Sequence, residues 1–374
     1  MTDIIDTDVL IIGAGIAGVG AAAELASTHK VIILERESQP AYHSTGRSAA
    51  IFLPNYGNDV IRALNRASAP MFMQRDTKLF PEPLLTLRGS LTVADDTGIE
   101  RCEDLLKNGV NVDEISADRA VEMVPILNRE YIKAACYQAE AQDIDVNALH
   151  QGWLRKATGL GVDLRTNAEV ISATRVNGLW LVETPDQIFR AQIVVNAAGA
   201  WADVIAGIFG GKPLGLTPLR RSIAVLPVPE GYDTRGWPLV DDANEAWYLK
   251  PDGGRLFVSP CDETPVEPHD AYVDDMVLAE GLYRYEQAVT VPVNRVERSW
   301  AGLRTFAPDR TPVAGFDAEL DGFFWLAGQG GYGIQTAPAL SQFTATLIRQ
   351  QSLPDALAQI APRLSATRFQ PNNG

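Results

Sequence analysis

An apolar run from Asp8 to Ile12 empties into Gly13-Ala-Gly15-Ile-Ala-Gly18. An alanine-rich stretch follows, and a second apolar run from Lys30 ends in Glu35. This spacing predicts a strand, a tight turn, a helix and a second strand, the unit that binds dinucleotides. Three glycines alone would also fit a strand-to-helix turn with no ligand. The closing acid sharpens the reading, because Glu35 stands 22 residues beyond Gly13, where a carboxylate accepts the hydroxyls of a ribose. Gly13 permits the turn, Gly15 lets backbone approach a pyrophosphate, and Gly18 lets the helix pack close to the strand. The helix start at Ile16 and Ala17 then presents N–H groups to the phosphates.

At 374 residues the chain is long for one core, and about two domains are expected. Cys102, Cys136 and Cys261 are odd in number and scattered, and His29, His43, His150 and His269 show no ligand spacing. This argues for a reducing compartment, no disulfide framework and no metal site. A net charge of −15 makes nucleic acid and anionic membranes poor partners. The apolar stretch Val9 to Leu25 follows Asp3, Asp6 and Asp8 rather than basic residues, so it does not read as a signal peptide. No run is long enough to be an integral membrane segment, and a cytoplasmic protein is expected.

Strand-to-glycine signals recur at Gln192–Trp201 and at Gly322–Gly333, the latter leading into a helix expected from about Thr336 to Arg349. Loops delivered by parallel strands to one sheet edge share a crevice, so the nucleotide domain is expected to be discontinuous. Between these units the pattern changes. Val60, Ile61, Leu64, Ala67, Met71 and Phe72 have helical spacing within 58–80, and short helices are expected at 100–108 and 116–127. From Leu219 onward apolar strands appear, with Pro251-Asp-Gly-Gly254 marking a hairpin. The expected class is α/β with an α+β second domain built on an antiparallel sheet.

The opening unit, Tyr42-His-Ser-Thr-Gly46-Arg47-Ser48-Ala49, Val195–Trp201, Trp300-Ala-Gly-Leu-Arg304 and Ala327–Gly333 together resemble the D-amino acid oxidase/dehydrogenase (DAO) family of flavoproteins. Within it, the bacterial D-arginine-type dehydrogenases look most similar. The resemblance spans nearly the whole chain in order. It implies a Rossmann-like FAD-binding domain from 1–55, 145–217 and 306–374, with a substrate domain from 56–144 and 218–305. It also implies non-covalent FAD rather than NAD. Glu35 would hold the adenosine ribose with Arg36 beside it, and Val170 would meet the adenine. Ser44, Thr45, Gly46, Arg47 and Ser48 would run past the pyrophosphate and ring. Ala198, Gly199, Trp201 and Gly302 would line the cofactor. The loop through Gly330, Gly331, Tyr332, Gly333 and Ile334 would stabilise negative charge on the reduced ring.

An amino acid oxidised at its α-carbon must be gripped by its carboxylate, a task for planar guanidinium groups. The resemblance assigns this to Arg221 and Arg304, helped by Tyr248, with Tyr56 and Tyr332 as candidates for a lid or for contact with the amine and Gly331 in the loop over the flavin's pyrimidine edge. Strand alternation would send one of Arg220 and Arg221 outward. The implied reaction is oxidative deamination of a D-amino acid by hydride transfer from the α-carbon to flavin N5. The imino acid then hydrolyses to a 2-oxo acid and ammonia.

Arginine-preferring relatives carry an acid facing the guanidinium, whereas Pro83–Leu91 has none and Ile51-Phe52-Leu53 is apolar. A neutral, hydrophobic side chain is therefore expected. Oxidation of glycine, a secondary amine or a 2-hydroxy acid would use the same arginines. A sensor without turnover would not need them. The acceptor (quinone, carrier protein or O2) leaves no motif, and a dehydrogenase is favoured over an oxidase.

Overall fold

Val9, Leu10 and Ile11 have no exposed surface, because the first strand, Ile4–Ile12, lies in a sheet covered on both faces. Its alternate side chains feed two cores: Val9 and Ile11 pack with the helix Ile16–Leu25, and Leu10 and Ile12 with the segment around Ala202 and Ile205. The computed structural model describes residues 3–74 and 76–369. In the eight-stranded sheet, Ile4–Ile12 runs parallel to Val31–Leu34 on one side and to Ile188–Asn196 on the other. Asp163–Arg165 adds in parallel beyond Val31–Leu34, and Phe323–Ala327 pairs in parallel with the end of Ile188–Asn196. Buried on both faces, Val31–Leu34, Phe323–Ala327 and the C-terminal half of Ile4–Ile12 are continuous apolar runs rather than alternating ones.

The turn after the first strand is glycine-dependent. Gly13 has φ +104°, and a Cβ there would lie 2.5 Å from the Ala197 carbonyl oxygen. The C-terminal helix Gly333–Ile348 begins three residues before Thr336, directly out of the glycine loop, and packs on Ile16–Leu25 with Ser341 against Gly20.

The nine-stranded second sheet draws on two separate stretches of chain. Thr217–Pro227 pairs antiparallel with Arg298–Phe306 and with Arg255–Ser259, which turns back through Gly253 and Gly254 onto Tyr248–Asp252. Leu239–Asp242 pairs antiparallel with Tyr248–Asp252 but parallel with Ser90–Ala94, so the sheet is mixed rather than purely antiparallel. No hairpin joins those two strands, and about 145 residues of intervening chain leave their direction free. The helix expected within 58–80 spans Asp59–Met73, capped by Asn58, whose side chain accepts the Ile61 N–H at 3.0 Å. The other two helices are Ile99–Asn108 and Ala117–Met123. Among the described residues no helix is long and apolar enough to cross a membrane.

Candidate active site

Ile12, Leu34, Asn196 and Ala327 end parallel strands, and the loops beyond them converge at one sheet edge. Two adjoining cavities of about 160 and about 210 Å³ open there and share Gly15, Ser44, Thr45, Ala197 and Gly199. Gly13, Glu35, Arg36, Val170, Ala198 and Trp201 line the first. Ile16, Ala17, Arg47, Ser48 and Gly302 line the second, together with Gly330, Gly331, Gly333 and Ile334. Three predicted residues stand behind the lining. Gly18 packs against Gly13, and the Gly46 N–H closes a turn onto Ala41. The Tyr332 ring packs against Tyr56 and Phe306.

The glycine loop is held by groups far away in sequence. Glu35 accepts the Ala14 N–H at 2.9 Å and the Glu37 N–H at 3.0 Å, so the acid that closes the motif also fixes the turn. From the other side, His150 Nε2 donates to the Ala14 carbonyl at 2.9 Å. Burial holds this imidazole below its usual pKa, while the Ala14 carbonyl and Glu35 pull the other way. A histidine depressed in the folded state contributes stability above about pH 6.5, and that contribution is lost on acidification as the unfolded chain takes up the proton first. Lowering the pH from about 7 to about 5 is therefore expected to loosen flavin binding and lower Tm. His150→Gln should flatten both responses, read by flavin fluorescence during thermal melts.

The walls suit a flavin dinucleotide. The first-turn N–H groups of Ile16–Leu25 and Gly333–Ile348 point at the cavities without a capping side chain from their own N-cap residues. The Thr45 hydroxyl takes one of them, accepting the Ile16 N–H at 3.0 Å. Thr305 Oγ1 and Gln335 Nε2, both buried, find no hydrogen-bond partner among the described residues and line the larger cavity. At Gly331 a Cβ would stand 3.0 Å from Arg304 Nη1, so a side chain there would displace the guanidinium. Arg36 stacks over Trp201 at 4.8 Å beside the smaller cavity. Arg47 is committed to a clasp, donating to the Ala271 and Ala301 carbonyls at 2.9 and 3.1 Å and pairing with Asp270. His43 Nε2 meets Glu37 at 2.9 Å, a structural contact.

Arg221, Tyr248, Arg304 and Tyr56 meet where the larger of these cavities joins an outer one of about 560 Å³. Arg304 makes no hydrogen bond or ion pair within the described residues; burial opposes its charge, but the Tyr56 and Tyr248 phenols, Cys261 and Glu263 outweigh it and raise its pKa. Arg221 is braced, donating to the Asp262 carbonyl at 2.9 Å and to Glu263 at 3.1 Å. Burial pushes both phenols upward, so they are neutral donors near neutral pH.

Two expectations need correction here. Arg220 is not sent outward: both arginines are 7% exposed. Their strand is covered on both faces, and Arg220 meets Asp262 at 3.6 Å and Asp274 at 3.3 Å on the opposite side. The second concerns the substrate end. Of Pro83–Leu91 only Ser90 reaches the outer cavity, and Ile51 and Leu53 line it while Phe52 is core. An acid does face the space, but it comes from another strand: Asp241, with Glu245 nearby. Strand pairing across about 150 residues brings it there, which no local pattern signals.

With this geometry in view, comparison with known proteins is informative. A family model described as FAD dependent oxidoreductase (DAO) matches residues 8–347, and the chain belongs to that family. It is thus an FAD-dependent oxidoreductase. The chain is 26% identical over 394 residues to FAD-dependent oxidoreductase domain-containing protein 1 of Bos taurus, covering 91% of this chain and 81% of that one. Against glycine oxidase of Geobacillus kaustophilus identity is 25% over 366 residues, covering 92% and 93%. The solved L-proline dehydrogenase from P. horikoshii superposes with a TM-score of 0.84 at 24% identity, over 98% of this chain and 99% of that one. It shares the fold.

Proposed function

We propose that the protein oxidatively deaminates a D-amino acid, holding FAD without a covalent link. The chain would divide along its two large sheets into a cofactor domain and a substrate domain. The observation that carries the reading is the unpaired Arg304 guanidinium on the wall between the cofactor-side and outer cavities. A buried guanidinium without an acid calls for an anionic ligand, and a substrate carboxylate supplies one bidentately. Arg221, kept in place by Glu263, adds a second donor, and the Tyr248 and Tyr56 hydroxyls close over the same carboxylate. So gripped, the substrate presents its α-carbon toward the cofactor side, beneath the Gly330–Gly331 backbone. Bound FAD supplies the acceptor for the α-hydrogen and its two electrons. The neutral amine's lone pair forms the C=N bond as the C–H bond breaks. Water then adds to carbon and ammonia leaves, so the protein need supply no strong base.

A second reading is oxidation of glycine or a secondary amine, supported by the names of the Geobacillus and P. horikoshii relatives. Against glycine alone, an outer cavity of about 560 Å³ has room for a side chain. An anaerobic titration of the holoenzyme with D-amino acids, L-amino acids, glycine, sarcosine and proline tests the choice. Bleaching of the flavin absorbance by D-amino acids is expected, with slow recolouring in air for a dehydrogenase and release of the flavin by acid precipitation. Bleaching only by sarcosine, proline or glycine would overturn the proposal.

A further inference from the structure

Beyond the carboxylate grip, we infer that Asp241 is a specificity-determining residue that selects substrates carrying a cationic group at the far end of the side chain. The inference rests on the proposed carboxylate site at Arg304 and Arg221. Asp241 sits in the strand Leu239–Asp242, paired with Tyr248 on one side and Thr92 on the other. Cross-strand neighbours present their side chains to one face, and Asp241 and Tyr248 line the same outer cavity. That cavity has Arg304 and Arg221 at its cofactor end, so an anion grip and a carboxylate share one space.

The Asp241 carboxyl faces the cavity held by hydroxyl groups and not by a cation. Ser90 Oγ donates to it at 3.2 Å and Thr92 Oγ1 at 3.0 Å, which fixes its orientation. Arg62 and Arg101 also line the cavity, as do Glu100 and Asp104, but no cation pairs with Asp241 among the described residues. Burial pushes the carboxyl up to about 7, against the pull of the two hydroxyls, with Glu245 and Asp242 adding negative charge nearby. A ligand ammonium or guanidinium would supply the missing counter-charge and keep the acid ionised. A neutral aliphatic chain would supply no counter-charge and favour the protonated acid instead. The hydrophobic preference expected from the segment 83–91 is thereby reversed.

The test separates recognition from chemistry. Holoenzyme is titrated by calorimetry with ε-aminocaproate and with caproate, which share a carboxylate and a chain and differ only in the distal ammonium. Neither carries an α-amine, so the result does not depend on oxidation. ε-Aminocaproate is expected to bind at least about tenfold more tightly. Asp241→Asn, which keeps the shape and removes the charge, should bring the two ligands within about threefold while leaving flavin content unchanged. In turnover, the same variant should lose the preference for D-lysine over D-norleucine. Equal affinities in the unsubstituted protein, binding by neither ligand, or a preference that survives Asp241→Asn would overturn the inference. Retained binding preference with no bleaching by any D-amino acid would leave it standing and overturn the proposed reaction instead.

Discussion

Replacing Arg304 by methionine is expected to cut kcat/KM for the amino acid substrate by about 10²–10³-fold while the protein stays yellow. Truncating one partner of a desolvated ion pair costs about 2–5 kcal/mol, and each 1.4 kcal/mol is about tenfold. Methionine suits the site because it keeps a long, unbranched shape against the half-buried wall and introduces no new charge. Arg304 has no hydrogen-bond or ion-pair partner to strand among the described residues, so the fold should lose little and Tm should move by only a few degrees. Arg221→Met is a harsher change, since it also leaves Glu263 with only Arg310, at 2.8 Å. Stopped-flow bleaching with the flavin-to-protein ratio measured alongside decides the matter. A variant that keeps its flavin and reduces it at the original rate would remove Arg304 from the site.

Gly18→Ala should weaken flavin binding by about 5- to 150-fold, although the residue lines neither cofactor cavity. A Cβ at Gly18 would stand 1.9 Å from the Gly13 carbonyl oxygen, both backbone groups, so no side-chain rotation relieves the overlap. The helix must swing off the strand and take its N-terminal N–H groups with it. Overpacking of this kind costs about 1–3 kcal/mol, which weakens FAD by about 5- to 150-fold. Gly207→Ala provides the control: it lies in the helix Ala202–Ile208, and its Cβ would meet nothing within 4 Å. That substitution should leave the flavin affinity unchanged. Reconstitution of the apoprotein followed by tryptophan fluorescence measures both.

What could be read from the chain alone was whatever is local. Gly13, Gly15 and Gly18 with Glu35 announce a turn because the chemistry of a turn sits within a few residues, and strands buried on both faces announce themselves as apolar runs. His150 could not be read this way, since its partner Ala14 lies 136 residues away and a helix histidine carries no mark of what it faces. Asp241 stands in the short strand Leu239–Asp242, whose Leu-Val-Asp-Asp sequence does not tell which face its acids meet. Only the parallel pairing with Ser90–Ala94 turns that face into a cavity wall. Arg220 misled for the related reason that alternation predicts exposure only when one face of a sheet meets solvent. The Arg221, Tyr248 and Arg304 positions were legible through family resemblance rather than through any physical pattern.

The pairing of Phe323–Ala327 with Ile188–Asn196 has a consequence for biogenesis. A ribosome delivers the first strand of this sheet more than 300 residues before its last member and the helix that covers it. Until then the apolar edge of Ile188–Asn196 has no neighbour at its C-terminal half, and Gly20 awaits Ser341. The nucleotide sheet therefore stays incomplete until Phe323–Ala327 has been made. Sequence-distant pairings of this kind fold slowly and leave strand edges open to aggregation. Nascent chains would depend on holding factors until that strand arrives, and FAD can lock the sheet only then.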